Sequence, residues 1–319
     1  MYIENYILRK KISSWLGFMF VIISIMIIVG GLTRLTDSGL SITKWQLFSG
    51  FLPPLNHAEW LNYFDLYKKI PEYKLQNYSM TLNEFKVIFW WEWAHRFLGR
   101  LIGIAFLVPL LIFTSKLGFL KLKKLYIIFL LICFQGFIGW YMVSSGLVDR
   151  VDVSHFRLSV HLLIAFLILS MIFWNYLLIK DIKSSGDKLN LAFSLIFLFL
   201  IFFQITLGAF VSGMDAGKIY NSWPLMGSSF FPDDNRLANL FSLSAFSDPS
   251  LVQFMHRNLA YFIFGFYLLI FYKVYSAKLK SLFKIINLIG FILLIQIILG
   301  IFTLITGAQI ILSSMHQIT

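Results

Sequence analysis

A chain of 319 residues that is 59% hydrophobic and only 13% charged, with a mean hydropathy of +0.79, is too apolar for an ordinary soluble domain; such domains run at about 45–50% apolar and about 25% charged. Its net charge of +12 does not point to nucleic acid, because the basic residues stand in short clusters between apolar runs, the pattern of the positive-inside rule. The single cysteine, Cys133, lies within an apolar run, which excludes an intrachain disulfide and a cysteine metal cluster.

Near the N-terminus, ILRKKISSWLGFMFVIISIMIIVGG resembles a signal peptide only in outline. Its apolar run exceeds the usual stretch of about 7–15 residues and no A-x-A-like cleavage site follows, so a retained first helix is expected over about 14–33. Further apolar segments follow at about 87–113, 124–144, 155–179, 190–212, 252–273 and 283–305, each near or above the roughly 20 residues that span a bilayer. An eighth, about 309–319, has 11 residues and would rise only about 17 Å. The expected fold is therefore an all-α polytopic membrane protein with eight transmembrane segments, the last one truncated or entering only part of the bilayer. Lys and Arg cluster before the first segment (Arg9, Lys10, Lys11), after the second (Lys116, Lys121, Lys123, Lys124), after the fourth (Lys180, Lys183, Lys188) and after the sixth (Lys273, Lys278, Lys280, Lys284). These regions are expected on the cytoplasmic side, and the long loops 34–86 and 213–251 on the other.

An internal repeat organises the chain. GGLTRLTDSGLSITKW (30–45) lies over GAFVSGMDAGKIYNSW (208–223), matching Gly30 to Gly208, Asp37 to Asp215, Gly39 to Gly217 and Trp45 to Trp223. EWAHR (92–96) lies over QFMHR (253–257), QGFIG (135–139) over QIILG (296–300), and HFRLSVH (155–161) corresponds to ILSSMH (311–316). Four matched segments in the same order imply two four-helix bundles in parallel orientation, unlike the inverted repeats of many transporters. The halves are expected at 1–185 and 186–319, joined by the linker KDIKSSGDKLN (180–190).

Of six histidines, His57 and His155 have no counterpart in the repeat and read as solvated loop residues. His95, His161, His256 and His316 recur, one near the outer end of the second helix and one near the outer end of the fourth helix of each half. A lone histidine in a helix is usually a packing residue, but matched pairs on facing helices suit a cofactor site. Zinc wants three or four protein ligands; two imidazoles among glycines and aromatics suit axial ligation of haem iron. Arg96 and Arg257 directly follow two of these histidines and would pair with haem propionates, unless they only snorkel to headgroups. Gly99, Gly103, Gly136 and Gly139 permit close helix approach or make room for a flat macrocycle. Glu92, three residues before His95 and on the same helical face, has Gln253 as its counterpart. The first half alone thus carries an acid–base group, unless Glu92 is merely an interfacial acid paired with Arg96 or Lys86.

GGLTRLTDSGLSITKW, EWAHRFLGR, QFMHR and the terminal SSMHQ together resemble the haem A synthase family of cytochrome oxidase assembly, in its α-proteobacterial and mitochondrial form without an external cysteine pair. The resemblance runs over about 30–316 and implies conversion of haem O to haem A, a ring methyl becoming a formyl group through successive hydroxylations. It implies that His95 and His161 flank the substrate haem, that His256 and His316 ligate a haem b cofactor, and that Glu92 is catalytic. A doubly histidine-ligated iron leaves no open position, so one histidine, His161 in the first instance, would have to be weakly held. The family continues through a complete eighth helix, whereas only Gln317, Ile318 and Thr319 follow His316 here. It further implies a bacterial inner-membrane location with the N-terminus cytoplasmic and the haem sites toward the periplasm. Implied partners are haem O synthase, oxidase assembly factors, an unidentified electron donor and membrane lipid, with a homo-oligomer left open. The competing readings are a di-haem b-type electron-transfer protein and a transporter or haem-delivery protein; the Glu92/Gln253 asymmetry favours the enzyme.

Overall fold

The computed structural model describes residues 5–45, 49–148, 150–180 and 186–319, and the named elements among them are all helices. The chain divides into two compact units, Met1–Ile182 and Lys183–Thr319. The linker expected at 180–190 falls in part on residues 181–185, outside the described residues. Among the described residues, seven helices are long and apolar enough to cross a bilayer. Their exposed faces carry side chains such as Leu130, Trp174, Phe199 and Phe291, as helices facing lipid require.

The first unit contains α1 (Tyr6–Leu35), α2 (His57–Tyr67), α3 (Pro71–Leu75), α4 (Leu82–Leu117), α5 (Phe119–Val143) and α6 (His155–Lys180). Helix α1 packs on α4 and α6, and α5 packs on the same two, which closes a four-helix bundle. Its centre is filled by Leu16 and Met19 of α1, Phe106 and Leu110 of α4, Leu125 of α5 and Ile172 of α6. Between helices in lipid the hydrophobic effect drives little, so close packing and interhelical polar bonds must hold them. The Trp15 indole accordingly donates to the Ala105 carbonyl at 3.0 Å.

The second unit contains α7 (Leu191–Gly213), α8 (Pro249–Ser276), α9 (Phe283–Ile305) and α10 (Ile310–Ile318). Here α7 packs on α8, α8 on α9, and α9 on α10. Helix α10 has nine residues, too few to cross, and is not among the seven spanning helices. The repeat is visible in the backbone itself. Asp37, after α1, has φ of 48°, and Asp215, after α7, has φ of 51°. Both lie in the left-handed region that aspartate tolerates better than most residues.

Helix boundaries differ from the sequence reading, most clearly around the first long loop. Hydropathy starts the second span at about 87, but α4 begins at Leu82 because Thr81 and Glu84 form a reciprocal capping box. Hydropathy registers only the lipid-crossing part of a helix that is capped in water. Replacing Thr81 by Ala should cost about 1 kcal/mol, read as a lower unfolding midpoint in detergent with the absorption spectrum unchanged. The loop 34–86 is also not irregular throughout. In α2 the side chain of Asn56 accepts from the Glu59 N–H at 2.9 Å, and Trp60, Phe64 and Tyr67 pack on Phe85 and Phe89 of α4. This aqueous cap does gain from burying apolar surface.

Candidate paired-histidine sites

Each recurrent histidine stands against a glycine of the preceding long helix. A methyl group built on Gly30 would lie 2.8 Å from Cε1 of His95, one on Gly139 3.0 Å from that of His161, one on Gly208 3.2 Å from that of His256, and one on Gly300 2.9 Å from that of His316. Such separations are shorter than a carbon–carbon contact of about 3.5–4.0 Å allows. Only glycine lets these rings lie flush against the neighbouring helix. Four helix pairs therefore repeat one arrangement: α1 with α4, α5 with α6, α7 with α8, and α9 with α10.

A glutamine four residues before the glycine completes three of the four. Gln135 donates through Nε2 to the main-chain carbonyl of His161 at 2.9 Å, Gln204 to that of His256 at 3.1 Å, and Gln296 to that of His316 at 2.8 Å. The Gln135 and Gln204 amides also stand 3.3 and 3.4 Å from Nε2 of their histidines. At His316 it is the main-chain carbonyl of Gln296 that faces ring Nδ1, at 3.1 Å. QGFIG and QIILG pair in the repeat, and QITLG (204–208) joins them as a third copy. The signal was present in the recurring spacing of glutamine and glycine.

Within the second unit, the His256 and His316 rings face each other with centroids 6.4 Å apart and planes at 90°. Two metal–imidazole bonds of about 2 Å each, plus about 1 Å from each nitrogen to its ring centre, span about 6 Å. In the first unit His95 and His161 rest on glycines of neighbouring helices of the same four-helix bundle. Nδ1 of His95, His161 and His256 is buried with no hydrogen-bond partner. Among the described residues no group of three or more His, Cys, Asp or Glu could hold a metal ion. The donor set is thus two imidazoles per unit, which fits a metal whose other ligands come from a macrocycle.

Glu92 lies beside this arrangement and is 3% exposed, so it is not the solvated acid that sequence allowed. Its Oε2 accepts from the Ser41 hydroxyl and the Ile42 N–H, both at 2.7 Å. Its Oε1 accepts from Nε of Arg96 at 3.0 Å and also from Nη2, a two-pronged ion pair. The same Nη2 donates to the Ile42 carbonyl at 3.0 Å, and the guanidinium stands 5.4 Å from the Trp45 ring centre. Gln253 and Arg257 clamp the matched segment of the second unit. Gln253 donates to the Tyr220 carbonyl at 3.0 Å, and Arg257 donates to the carbonyls of Ser222 and Pro224 at 3.2 and 2.9 Å. Ile42 and Tyr220 are equivalent positions of the repeat. Nη1 of Arg257 is buried without a hydrogen-bond partner, a donor suited to a carboxylate. Lys86 is not a partner of Glu92; it lies over the Trp60 ring at 5.4 Å.

The two unrepeated histidines part ways. His57 is exposed, as expected, but His155 is only 6% exposed, packed against Phe156 at the start of α6. A loop residue becomes buried there because the helix begins with it. Glu72 is a further buried acid, 3% exposed in the aqueous cap, and burial pushes its carboxyl up to about 8.

These features define a multi-pass, all-helical membrane protein with four histidines resting on glycines of neighbouring helices, two in each unit, and a buried acid–arginine pair, Glu92 and Arg96, on the helix of His95. Residues 13–319 match the family described as cytochrome oxidase assembly protein, and the chain belongs to that family. It is 53% identical to a heme A synthase of Pelagibacter ubique over 319 residues, covering 99% of this chain and 93% of the relative. It is 44% identical to a heme A synthase of Rickettsia bellii, covering 97% and 94%, and 42% identical to one of Rhizobium rhizogenes, covering 97% and 86%.

Proposed function

We propose that this protein is a haem A synthase that oxidises a ring methyl of haem O to the formyl group of haem A, supplying the haem of cytochrome oxidase. The observation that carries the reading is the four-fold histidine-on-glycine arrangement with its single carboxylate at Glu92. It supports two like haem sites, with an acid–base group beside the first. His95 and His161 hold haem O as substrate, and His256 and His316 hold haem b. When bound, haem b supplies one-electron redox chemistry to the second unit. Arg257, with its unpaired Nη1, and Arg96 offer guanidinium donors to propionates.

Within the first unit, the clamp of Glu92 and Arg96 on Ser41 and Ile42 fixes the external segment over the site and shields it from water. Glu92 would accept and return protons as the methyl is hydroxylated twice, each hydroxylation taking one oxygen atom from dioxygen with two electrons from the donor and two protons and releasing water, after which the geminal diol loses water. Ser41, donating to Glu92 at 2.7 Å, holds the carboxylate in place. The basic clusters support a cytoplasmic N-terminus, with both haem sites toward the opposite face of a bacterial inner membrane. The substrate comes from a haem O synthase, the product passes to oxidase assembly factors, and an electron donor serves the haem b.

Extraction of pigment from the purified chain tests this directly. Haem O with some haem A beside haem b is expected. Haem b alone at both sites would make the protein a di-haem electron carrier. Gly300→Ala tests the cradle: overpacking by about 1–3 kcal/mol should lower haem b occupancy about 5- to 150-fold, measured as haem per protein after detergent washing.

A further inference from the structure

We infer that the Thr303 and Ser313 hydroxyls donate to the carboxylate edge of the second-unit haem and keep it resident. At the matched places of the first unit, Met142 and Leu158 leave the haem free to exchange. The inference rests on the proposed haem reading and goes beyond it. Gln296 and Gly300 lie on the face of α9 that meets His316. Thr303 stands one turn beyond Gly300 on that face, and Ser313 one turn before His316 on α10. Both belong to the end of the unit where α9 finishes at Ile305 and α10 begins at Ile310. A serine or threonine inside a helix commonly donates to the carbonyl four residues back. Ser24, Thr33, Thr114, Thr206 and Thr306 do so at 2.7 to 2.9 Å. The hydroxyls of Thr303 and Ser313 are instead buried with no hydrogen-bond partner. An unpaired buried hydroxyl is costly, and two of them one turn from the same histidine site call for one acceptor.

The nature of that acceptor follows from its surroundings. A macrocycle held between imidazoles buries its apolar ring in the bundle and turns its carboxylates toward the nearer end. Arg257 marks this end from α8, where it donates to the Ser222 and Pro224 carbonyls and keeps Nη1 buried without a partner. Asn221 of the same segment donates to the Leu304 carbonyl at 2.9 Å, which brings it to the end of α9 beside Thr303. A guanidinium on α8 and two hydroxyls on α9 and α10 thus stand at one end of the unit, on both sides of the paired imidazoles. The first unit lacks the hydroxyls. The offset that lays QGFIG over QIILG puts Met142 at the place of Thr303, and His161 over His316 puts Leu158 at that of Ser313. Neither side chain can donate. Arg157, one turn before His161, is turned to α5: it donates to the Tyr141 carbonyl at 2.7 Å and lies over the Tyr141 ring at 3.8 Å. Arg96 is shared with Glu92. A site that releases a product needs weak edge contacts, and one that keeps a cofactor needs strong ones.

The test uses the purified full-length chain with its haems and follows the transfer of each to excess apomyoglobin. In the unaltered protein haem b should leave more slowly than haem O. Thr303→Val, equal in size but without the donor, and Ser313→Ala should each hasten haem b transfer about tenfold, as expected for a lost hydrogen bond to a charged group. Thr303→Ser keeps the hydroxyl and should keep the slow rate, a rescue that packing alone does not produce. Met142→Thr combined with Leu158→Ser should slow the transfer of haem O. Unchanged haem b transfer in Thr303→Val or in Ser313→Ala overturns the inference, the hydroxyls then holding water only. Equal loss in Thr303→Ser and Thr303→Val also overturns it, and so does haem O leaving the unaltered protein as slowly as haem b. A chain that purifies without any haem overturns the underlying reading instead, which separates the two failures.

Discussion

Glu92→Gln is expected to abolish haem A formation, by about a hundredfold or more, while both haem sites stay loaded. General acid–base groups contribute about 10²–10⁴ in rate, and glutamine cannot carry a proton between states. The fold should tolerate the change, because the second unit already holds a glutamine at the matched position. Gln253 clamps Tyr220 just as the Glu92–Arg96 pair clamps Ile42. In Glu92→Gln, the amide oxygen takes the place of Oε2 and accepts from Ser41 and Ile42, but the amide nitrogen replaces Oε1 and its hydrogens face the Arg96 donors. The ion pair is lost, and Arg96 keeps its bond to the Ile42 carbonyl. Removing one partner of a buried pair costs about 3–5 kcal/mol, so the variant needs a stability measurement beside the pigment assay. Arg96→Lys serves as the control: it weakens the same pair but leaves the carboxylate. Haem A lost in Glu92→Gln and formed in Arg96→Lys assigns the chemistry to the carboxylate. Haem A formed at the normal level in Glu92→Gln removes Glu92 from the mechanism.

What could be read in advance follows from the solvent. In a bilayer every backbone polar group must be satisfied within its segment, so apolar runs of sufficient length translate directly into helices. The spacing of His95, His161, His256 and His316 was legible for a related reason: a polar residue kept at matched depth in two copies of a bundle stands out against an apolar background. The aqueous parts were less legible. Helices α2 and α3 are short, and their stability comes from Trp60, Phe64 and Tyr67 packing on α4, contacts distant in sequence. His155 read as solvated although the fourth apolar segment starts with it, because its burial at the first position of α6 depends on packing that hydropathy does not register. The partners of Glu92 were only half legible. Arg96 is one turn away on the same helix, but Ser41 and Ile42 lie some fifty residues back and are brought in by the left-handed turn at Asp37. The glutamines were visible as letters and missed as a device, because their bonds go to main-chain carbonyls of another helix.

That last point determines the second large effect. His256→Ala is expected to remove the haem b absorbance of the second unit, about half of the total haem, without unfolding the chain. The bond between α7 and α8 at this level runs from the Gln204 side chain to the main-chain carbonyl of residue 256, which alanine retains. What is lost is the ring in the Gly208 cradle and one of two imidazoles that face each other at 6.4 Å. His316 alone, on a helix of nine residues, offers a single ligand, and a singly held haem should wash out in detergent. The first-unit site should keep its haem O, since His95 and His161 belong to a separate compact unit with its own core. The extract of His256→Ala should therefore contain haem O and little haem A. An unchanged haem b spectrum in this variant would sink the assignment of His256 as a ligand. Haem O converted at the normal rate with haem b gone would show instead that electrons reach the first unit by another route, and the second copy of the arrangement would then serve stability alone.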